Sequence, residues 1–435
     1  MSSKASVDET PSGSSPEKDR AAEGIESLGL QAMRDLDDLA RFSEDAGALT
    51  RRYLTKEHSE AARFVMQRMR DAGMDTRMDA LGNVIGSAEG EGSGARRLLI
   101  GSHIDTVRDA GRYDGALGVI LPIACLGFLH RRGVRLPYPV DVIAFGDEEG
   151  VRFQSTLIGS RAIAGDFDPA LLDATDSDGI RLADALREFG LDPDAFEDAR
   201  YRPEDVAAYI EVHIEQGPVL EAEDLPVGVV TSIAGATRFQ VKVVGQAGHA
   251  GTVPMHLRRD ALVASAEAIA SVERICASIP SAVGTVGILH ASPGAVNVIP
   301  GAVEFSLDVR AESDASRHAA LAEIDRAFGE IAERRRVSIT KTMTHEGDAC
   351  QCAPWLMRRL AEAVQAEGIT LRELPSGAGH DAMAVARLTD VGMLFVRCLE
   401  GISHHPAESM TQADAQVAAQ VLLRFLEGFD PAKTE

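Results

Sequence analysis

Histidine and carboxylate side chains in this sequence follow short apolar segments that predict β-strands. His103 follows segment 97–102, His213 follows segment 207–212, and an acidic run follows the strand predicted at 140–145. Because ligands bind at the carboxyl ends of strands in open α/β sheets, we expect these side chains at one sheet edge. Imidazole and carboxylate ligands together suit zinc, manganese or a similar divalent ion, not a cysteine-based structural zinc site.

Each of these signals also has an ordinary structural interpretation. His103 in GSHIDTV could be a hydrogen-bonded structural histidine, and Asp114 in GRYDGALG could cap the helix that follows. The acidic run 147–149 in FGDEEG could lie in a solvated loop. Asp105 is well placed to accept the second imidazole N–H of His103 and fix its tautomer. The joint pattern, and no single motif, indicates a metal site.

Two adjacent carboxylates at one strand end provide what metal-assisted hydrolysis needs. One binds a metal, and its neighbour takes a proton from the attacking water. A third histidine arrives in GISHHPAE, after the strand predicted at 391–398. A bridging carboxylate holds two ions about 3.5–4 Å apart in such sites. A two-metal hydrolase is therefore the expected class of protein.

The elements that must position these residues alternate between strands and helices. The alternation predicts a mostly parallel central sheet covered by helices on both faces. Between residues 226 and 344 the pattern becomes β-β-α-β-β-α-β, close to ferredoxin-like modules. The predicted fold class is thus α/β, a discontinuous catalytic domain with an inserted α+β domain. The predicted boundaries are a disordered tail at 1–21, a catalytic domain at 22–225 and 345–435, and the inserted domain at 226–344.

Composition limits the partners and the compartment. A net charge of −23 over 435 residues argues against nucleic acid and anionic membranes, which need a basic surface. An anionic small substrate would need a well-placed arginine. The five cysteines form no CxxC motif, and we find no secretory signal and no membrane-spanning apolar run. These features predict a cytoplasmic enzyme with reduced thiols.

From about Arg34 to Phe429 the sequence resembles the amidohydrolase branch of the co-catalytic metallopeptidases, the hydantoinase/carbamoylase type of amidase. That branch includes aminoacylases, N-carbamoyl-L-amino-acid hydrolases, β-ureidopropionases and allantoate amidohydrolases. The order and spacing of eight motifs carry the resemblance. These motifs are GSHIDTV, YDGALG, DEEGVRF, EVHIEQGPVLE, GHAGTVPMHLRRDAL, NVIPG, SGAGHDA and GISHHPAE.

The resemblance implies a set of metal ligands for two divalent ions per subunit, zinc or manganese, with cobalt or nickel as substitutes. Asp114 matches the position that bridges the two ions. The implied ligands are His103, Asp114, Glu149, His213 and His404.

The resemblance also implies catalytic roles. Glu148 matches the general base, and Asp105 matches the residue that orients His103. His249 in GHAG matches a histidine that stabilises the tetrahedral oxyanion, a group that related dimers often supply across the subunit interface. Whether His249 acts in its own subunit or in the neighbouring one is left open by the sequence.

Substrate-binding positions are implied in both domains. Arg310 supplies the arginine that an anionic substrate requires, because its guanidinium can hold a carboxylate with two hydrogen bonds. The remaining implied substrate-side residues are Gln216, Asn297, Gly379 and His380. The inserted domain is then expected to act as a lid and as the contact of a homodimer.

The implied reaction is hydrolysis of a ureido C–N bond in a small carboxylate substrate. Allantoate, giving ammonia and carbon dioxide, is the first expectation. An N-carbamoyl-L-amino acid or β-ureidopropionate is the alternative. A dipeptidase or aminoacylase, and a non-catalytic protein of the same fold, are further alternatives. The presence of Glu148 beside a complete ligand set favours an active enzyme over a non-catalytic protein of the same fold.

Overall fold

The computed structural model describes residues 27–92 and 94–433 of the chain. The tail predicted at 1–21 lies outside these residues. Two larger sheets organise the described part. The strands are β1 (Asp75–Met78), β2 (Val84–Ala88), β3 (Arg97–His103), β4 (Val140–Phe145), β5 (Val206–Ile214), β6 (Val227–Ile233), β7 (Gly235–Val244), β8 (Gly248–His249), β9 (Val283–Thr285), β10 (Leu289–Ser292), β11 (Val298–Ile299), β12 (Ala302–Ala311), β13 (Ser338–Gly347), β14 (Cys350–Gln351), β15 (Glu373–Ser376) and β16 (Val391–Val396).

Along the chain, most of the helices occur between successive strands of the first sheet. Short 3₁₀ helices occupy Pro169–Asp173, Pro193–Ala199, Pro203–Asp205, Met255–Leu257 and Leu399–Gly401. The α-helices are α1 (Leu28–Leu39), α2 (Lys56–Asp71), α3 (Ala116–Arg131), α4 (Ile158–Ile163), α5 (Leu182–Phe189), α6 (Val219–Ala222), α7 (Ala261–Ser278), α8 (Asp314–Arg335), α9 (Pro354–Ala366), α10 (Asp381–Val385) and α11 (Gln412–Gly428).

The first sheet has the order β1-β2-β4-β3-β5-β16-β6-β14, and β15 pairs with β6. Its four central strands, β4-β3-β5-β16, are parallel. All residues of β4, β5 and β16 are buried, as expected for strands covered on both faces. This mixed α/β architecture with a parallel centre confirms the predicted α/β class with a mostly parallel central sheet.

Helices cover both faces of the first sheet. On one face α1, α2, α3, α9 and α11 contribute to the largest apolar core, and on the other α4 and α10 pack into a smaller one. Helix α3 is apolar around its whole circumference, and residues 116–129 are all buried. An all-apolar helix is expected at the centre of a core and not at its surface. It begins directly after the loop that carries Asp114.

The second sheet is antiparallel and has its own core. Its order is β10-β12-β7-β13, with β9 also paired to β12, and α7 and α8 contribute to the core on one face. Strand β7 alternates between buried and exposed residues, the pattern of a sheet with one covered face. The short strands β8 and β11 pair beside this sheet. The sheet and its helices, residues 235–347, are called the second unit below.

Strand β6 corrects the predicted domain boundary. The strand predicted at 228–234 was assigned to the inserted domain at 226–344, but β6 pairs with β16, β14 and β15 in the first sheet. Six of its seven residues are buried, and such a strand requires cover on both faces. At the other boundary, β13 continues to Gly347, three residues beyond the predicted end of the inserted domain at 344. None of the described helices is long and apolar enough to cross a membrane.

Candidate metal centre

The carboxyl ends of the four parallel strands meet at one edge of the first sheet. His103 is the last residue of β3, and His213 lies one residue before the end of β5. The run 147–149 follows β4, and His404 follows β16. Because these strands are neighbours in the order β4-β3-β5-β16, the residues predicted from separate motifs lie together.

Asp114 is the centre of this arrangement. Its Oδ1 lies 3.1 Å from His213 Nε2 and 3.5 Å from His103 Nε2. Its Oδ2 lies 3.3 Å from His404 Nε2, which is 3.6 Å from Glu149 Oε1. Two groups of potential ligands therefore share Asp114, and within each group the ligand atoms lie within 4.8 Å of one another.

Main-chain carbonyl groups orient two of the imidazoles. His103 Nδ1 lies 3.0 Å from the carbonyl oxygen of Asp105, and His213 Nδ1 lies 2.9 Å from that of Ile214. A proton on each Nδ1 satisfies these contacts and leaves the Nε2 lone pair directed toward Asp114. This tautomer is the one that a metal-binding histidine needs.

The Asp105 side chain contacts the acidic loop as well as His103. Its Oδ1 accepts the amide N–H of Glu148 at 3.0 Å, and its Oδ2 accepts that of Glu149 at 3.2 Å. The same Oδ1 lies 3.6 Å from His103 Nδ1. Asp105 thus holds the backbone of Glu148 and Glu149 in place, while the stronger contact to His103 comes from its own carbonyl group.

Glu148 lies close to the ligand cluster but belongs to neither of the two potential ligand groups that contain Asp114. His103, Glu148 and Glu149 offer ligand atoms within 4.8 Å of one another. Burial raises the pKa of the Glu148 carboxyl well above its ordinary value, against the lowering effect of His103. A carboxyl group whose pKa is raised holds a proton more readily than an ordinary glutamate, which suits a group that acts first as base and then as acid.

A second network fixes the loop that carries Asp114. Gln216 Nε2 donates to Asp114 Oδ2 at 2.7 Å, and Ser403 Oγ lies 2.7 Å from the same oxygen. Glu408 Oε1 accepts the amide N–H groups of Tyr113 and Asp114 at 2.8 and 3.1 Å. Ser403 and Glu408 are not among the site residues predicted from the sequence, although both lie in the GISHHPAE motif.

Further acidic residues lie buried near the centre, and two of them, Glu211 and Asp381, are not among the residues that the sequence singles out. Glu211 accepts hydrogen bonds from Ser102 Oγ at 2.7 Å and from the amide of Ala382 at 3.0 Å. Burial raises the pKa values of Asp147 and Asp381 well above the ordinary range. An acid in an otherwise apolar strand, as in YIEVHI, was the available signal for Glu211.

His380 packs behind the centre. Its side chain is buried, its Nε2 lies 2.7 Å from Ser376 Oγ, and its ring centroid lies 4.5 Å from that of His213. Burial lowers its pKa well below the ordinary value, so the ring is neutral. Gly379 borders the acidic loop, because a Cβ added there would lie 3.8 Å from Glu148 Oε1.

His249 and Asn297 lie together in the second unit, outside the cluster around Asp114. His249 in β8 is opposite Val298 in β11, and the carbonyl group of Asn297 accepts the amide N–H of Ala250 at 2.9 Å. Both side chains are exposed. His249 belongs to none of the potential ligand groups found among the described residues.

Arg310 connects the second unit to the first. Its Nε and Nη2 each donate to Asp308 at 3.0 Å, and its Nη1 donates to the carbonyl oxygen of Gly377 at 2.8 Å. Gly377 lies in the loop that also contains Gly379 and His380. The predicted carboxylate-binding arginine thus contacts the loop that borders Glu148.

A family model supports what the geometry indicates. The model of the peptidase family M20/M25/M40 matches residues 99–428, which is most of the chain. The chain belongs to this family. Members of the M20 family are metal-dependent hydrolases, which confirms the family resemblance stated from the motifs.

Relatives with assigned activities cover nearly the whole chain. This chain is 42% identical to a "Probable allantoate deiminase" of Oryza sativa subsp. japonica, and the match covers 93% of this chain and 90% of the relative. It is 41% identical to an "N-carbamoyl-L-amino acid amidohydrolase" of Geobacillus stearothermophilus, with 90% and 95% covered. A crystal structure of a hydantoinase/carbamoylase family amidase from Burkholderia multivorans superposes with a TM-score of 0.86 at 31% identity, with 92% and 97% covered.

The donor set fits the metal dependence of the M20 family. Asp114 presents its two oxygens to two different sets of ligands, and the orienting contacts of His103 and His213 leave their Nε2 atoms as acceptors. Imidazole nitrogen and carboxylate oxygen together suit zinc, manganese and similar ions. The residues present can therefore hold divalent metal.

Proposed function

We propose that this chain hydrolyses the ureido C–N bond of a small carboxylate substrate, and that allantoate is this substrate. The observation that carries the proposal is Asp114, shared by two potential ligand groups beside Glu148, in a chain 42% identical to a probable allantoate deiminase. Hydrolysis of N-carbamoyl-L-amino acids is the second candidate, because a relative with that activity is 41% identical.

The metal centre is proposed to hold two divalent ions. His103, His213 and Asp114 would hold one ion, and Asp114, Glu149 and His404 would hold the other. When bound, such ions act as Lewis acids on the substrate carbonyl and favour deprotonation of water. Zinc or manganese fits this donor set, and cobalt or nickel can substitute.

Glu148 is proposed to move the proton. Its carboxylate takes a proton from the attacking water and returns it to the leaving nitrogen, so the same group acts first as base and then as acid. Asp105 supports this role, because it accepts the amide N–H of Glu148 and keeps the loop fixed relative to His103.

Recognition of the substrate is proposed to involve both units. Arg310 binds the substrate carboxylate, and Gln216 and Gly379 contact the substrate from the first unit. His380 acts indirectly, because it is buried behind His213. His249 and Asn297 in the second unit stabilise the developing oxyanion and bind the substrate.

The second unit is proposed to be a ferredoxin-like lid and the contact of a homodimer. Apart from the two short strands β8 and β11, its order from β7 to β13 is β-α-β-β-α-β, with β9 and β10 together in the place of one strand. Several large apolar side chains near His249 and Asn297 are exposed, and a second copy of the chain would cover them. They are Met255, Leu257 and Val296.

The cytoplasmic location expected from the cysteines stays a prediction.

The test is ammonia release from allantoate, compared with several N-carbamoyl-L-amino acids. Chelated protein is supplied with manganese or zinc, and Glu148→Gln serves as the comparison. We expect ammonia from wild type and less than one thousandth of that rate from Glu148→Gln, with nearly unchanged metal content. The substrate with the higher kcat/KM decides between the two candidates. Release from none of these ureido compounds with either metal would contradict the proposal.

A further inference from the structure

The open face of the second sheet contains a cavity of about 590 Å³ that adjoins the loop beside the metal centre. The cavity lies on the face formed by side chains of β7 and β12, and it reaches Gly377. Gly377 lies two residues from Gly379, which borders Glu148. A substrate arm that extends from the centre toward Arg310 would therefore enter this cavity.

Three charged residues line the cavity within the described part of the chain, and both arginines among them contact the one aspartate, Asp308. Arg238 Nε donates to Asp308 Oδ2 at 3.0 Å across the β7–β12 pair. Arg310 Nε donates to Asp308 Oδ1, and its Nη2 donates to Oδ2, both at 3.0 Å. Asp308 thus stands between two arginines, and it receives one edge of the Arg310 guanidinium in a two-bond contact.

This contact determines how many N–H donors of Arg310 remain for a substrate. A guanidinium has five N–H groups, of which Asp308 takes two and the carbonyl group of Gly377 takes one. The two that remain lie one on Nη1 and one on Nη2, so both terminal nitrogens can still donate to a carboxylate. With Asp308 ionised, the three side chains carry one net positive charge, which one substrate carboxylate neutralises.

We propose that Asp308 is a positioning and specificity-determining residue that holds Arg310 by one edge and restricts the cavity to substrates with a single carboxylate. The inference rests on the proposed function, since it assigns Arg310 to the substrate carboxylate. A second carboxylate on the substrate would face Asp308 and find no unpaired positive charge. Its burial in the cavity would therefore be unfavourable.

The test compares two inhibitors that differ in one charge. Succinate carries two carboxylates, and succinamate has an amide in place of one of them. Their inhibition constants are measured against the substrate that the wild type hydrolyses. In Asp308→Asn the three side chains carry two net positive charges. The preference for succinate over succinamate should then rise about tenfold relative to wild type, which corresponds to about 1.4 kcal/mol.

Two further variants keep the test interpretable. Arg238→Gln removes one positive charge and should shift the preference toward succinamate, the opposite direction, which also covers the case in which Asp308→Asn does not fold. Glu304→Gln is the matched control, because Glu304 forms a 2.9 Å ion pair with Lys242 across the same two strands, away from the cavity. Its preference should equal that of wild type.

The outcomes separate this inference from the proposed function. If the wild type hydrolyses a ureido acid and neither cavity variant changes the preference between the two inhibitors, the role of Asp308 is refuted and the function stands. If no ureido compound is hydrolysed, the function fails. Calorimetric binding of succinate and succinamate to the metal-loaded variants then still tests Asp308, with the same expected shifts.

Discussion

At the scale of single residues, Asp114 explains how separate motifs form one centre. Each of its oxygens faces different partners, and Gln216, Ser403 and the amide groups held by Glu408 fix its position. A carboxylate held from so many sides cannot rotate freely, so its two oxygens stay directed toward two ligand groups. Loss of such orienting contacts typically costs roughly 10–100-fold in metal affinity or activity.

Arg310 gives the prediction that belongs to this scale. Arg310→Lys keeps one positive charge but loses the planar fork, so the substrate carboxylate loses its two-bond contact. We expect KM to rise at least tenfold and kcat to change less, because Arg310 does not touch the reacting bond. Steady-state kinetics on the preferred ureido acid measure both values. An unchanged KM would rule out Arg310 as the carboxylate anchor.

The sequence predicts the candidate ligands better than the residues that orient them. His103, Asp114 and His213 could be selected because their residue types suit metal and they stand at predicted strand ends. Glu408 could not be selected in this way, because its contact to Tyr113 joins positions 295 residues apart. Likewise, the carbonyl group that orients His103 belongs to the backbone, where residue type carries no information.

At the scale of elements, the start of α3 joins the core to the metal centre. Gly115, which caps this helix, has φ +65°, and a Cβ there would lie 2.4 Å from His103 Cε1. Only glycine fits this combination of backbone conformation and close approach. The helix that fills the core can thus begin directly beside the metal ligand His103.

Gly115→Ala should therefore weaken metal binding at least tenfold as well as lower stability. Gly133→Ala, after the end of the same helix, is the control, because Gly133 has φ +67° but nothing within 4 Å of its Cβ position. The control should cost only the backbone strain of about 1 kcal/mol. Metal titration and thermal unfolding compare the two variants. Equal metal affinity in both would contradict a steric role for Gly115.

Burial patterns decide which sheet a strand joins, and here the sequence was only partly informative. The apolar runs in β4 and β5 were sufficient to predict the first sheet, and the order β-β-α-β-β-α-β was sufficient to predict a second sheet that contains β7. The prediction for β6 is wrong, because β6 directly precedes β7 along the chain but is almost completely buried, as a strand of the first sheet must be. The partners of β6 include β14 and β15, which lie more than a hundred residues later.

At the scale of the whole molecule, a buried histidine links stability to pH. Burial lowers the pKa of His58 to about 4. Its ordinary value is about 6.5, so His58 takes up a proton in the unfolded chain at a higher pH than in the folded one. The free energy of unfolding therefore carries no penalty from His58 above about pH 6.5, and it decreases as pH falls from 6.5 toward 4.

His58→Asn should remove this dependence. Between pH 7.5 and pH 5 the free energy of unfolding of wild type should fall by about 2 kcal/mol more than that of the variant. His256→Asn, at an exposed position, should behave as wild type. Urea unfolding at several pH values measures the difference. Parallel pH profiles of wild type and His58→Asn would show that His58 is not neutral in the folded chain.

Metal dependence of ureido hydrolysis tests the central claim most directly. Protein freed of metal with a chelator is titrated with manganese or zinc while ammonia release from allantoate and from an N-carbamoyl-L-amino acid is followed. We predict no release without metal and a rate that reaches its maximum near two ions per chain. Full activity of the metal-free protein, or no activity at any metal concentration, would contradict a metal centre built around Asp114.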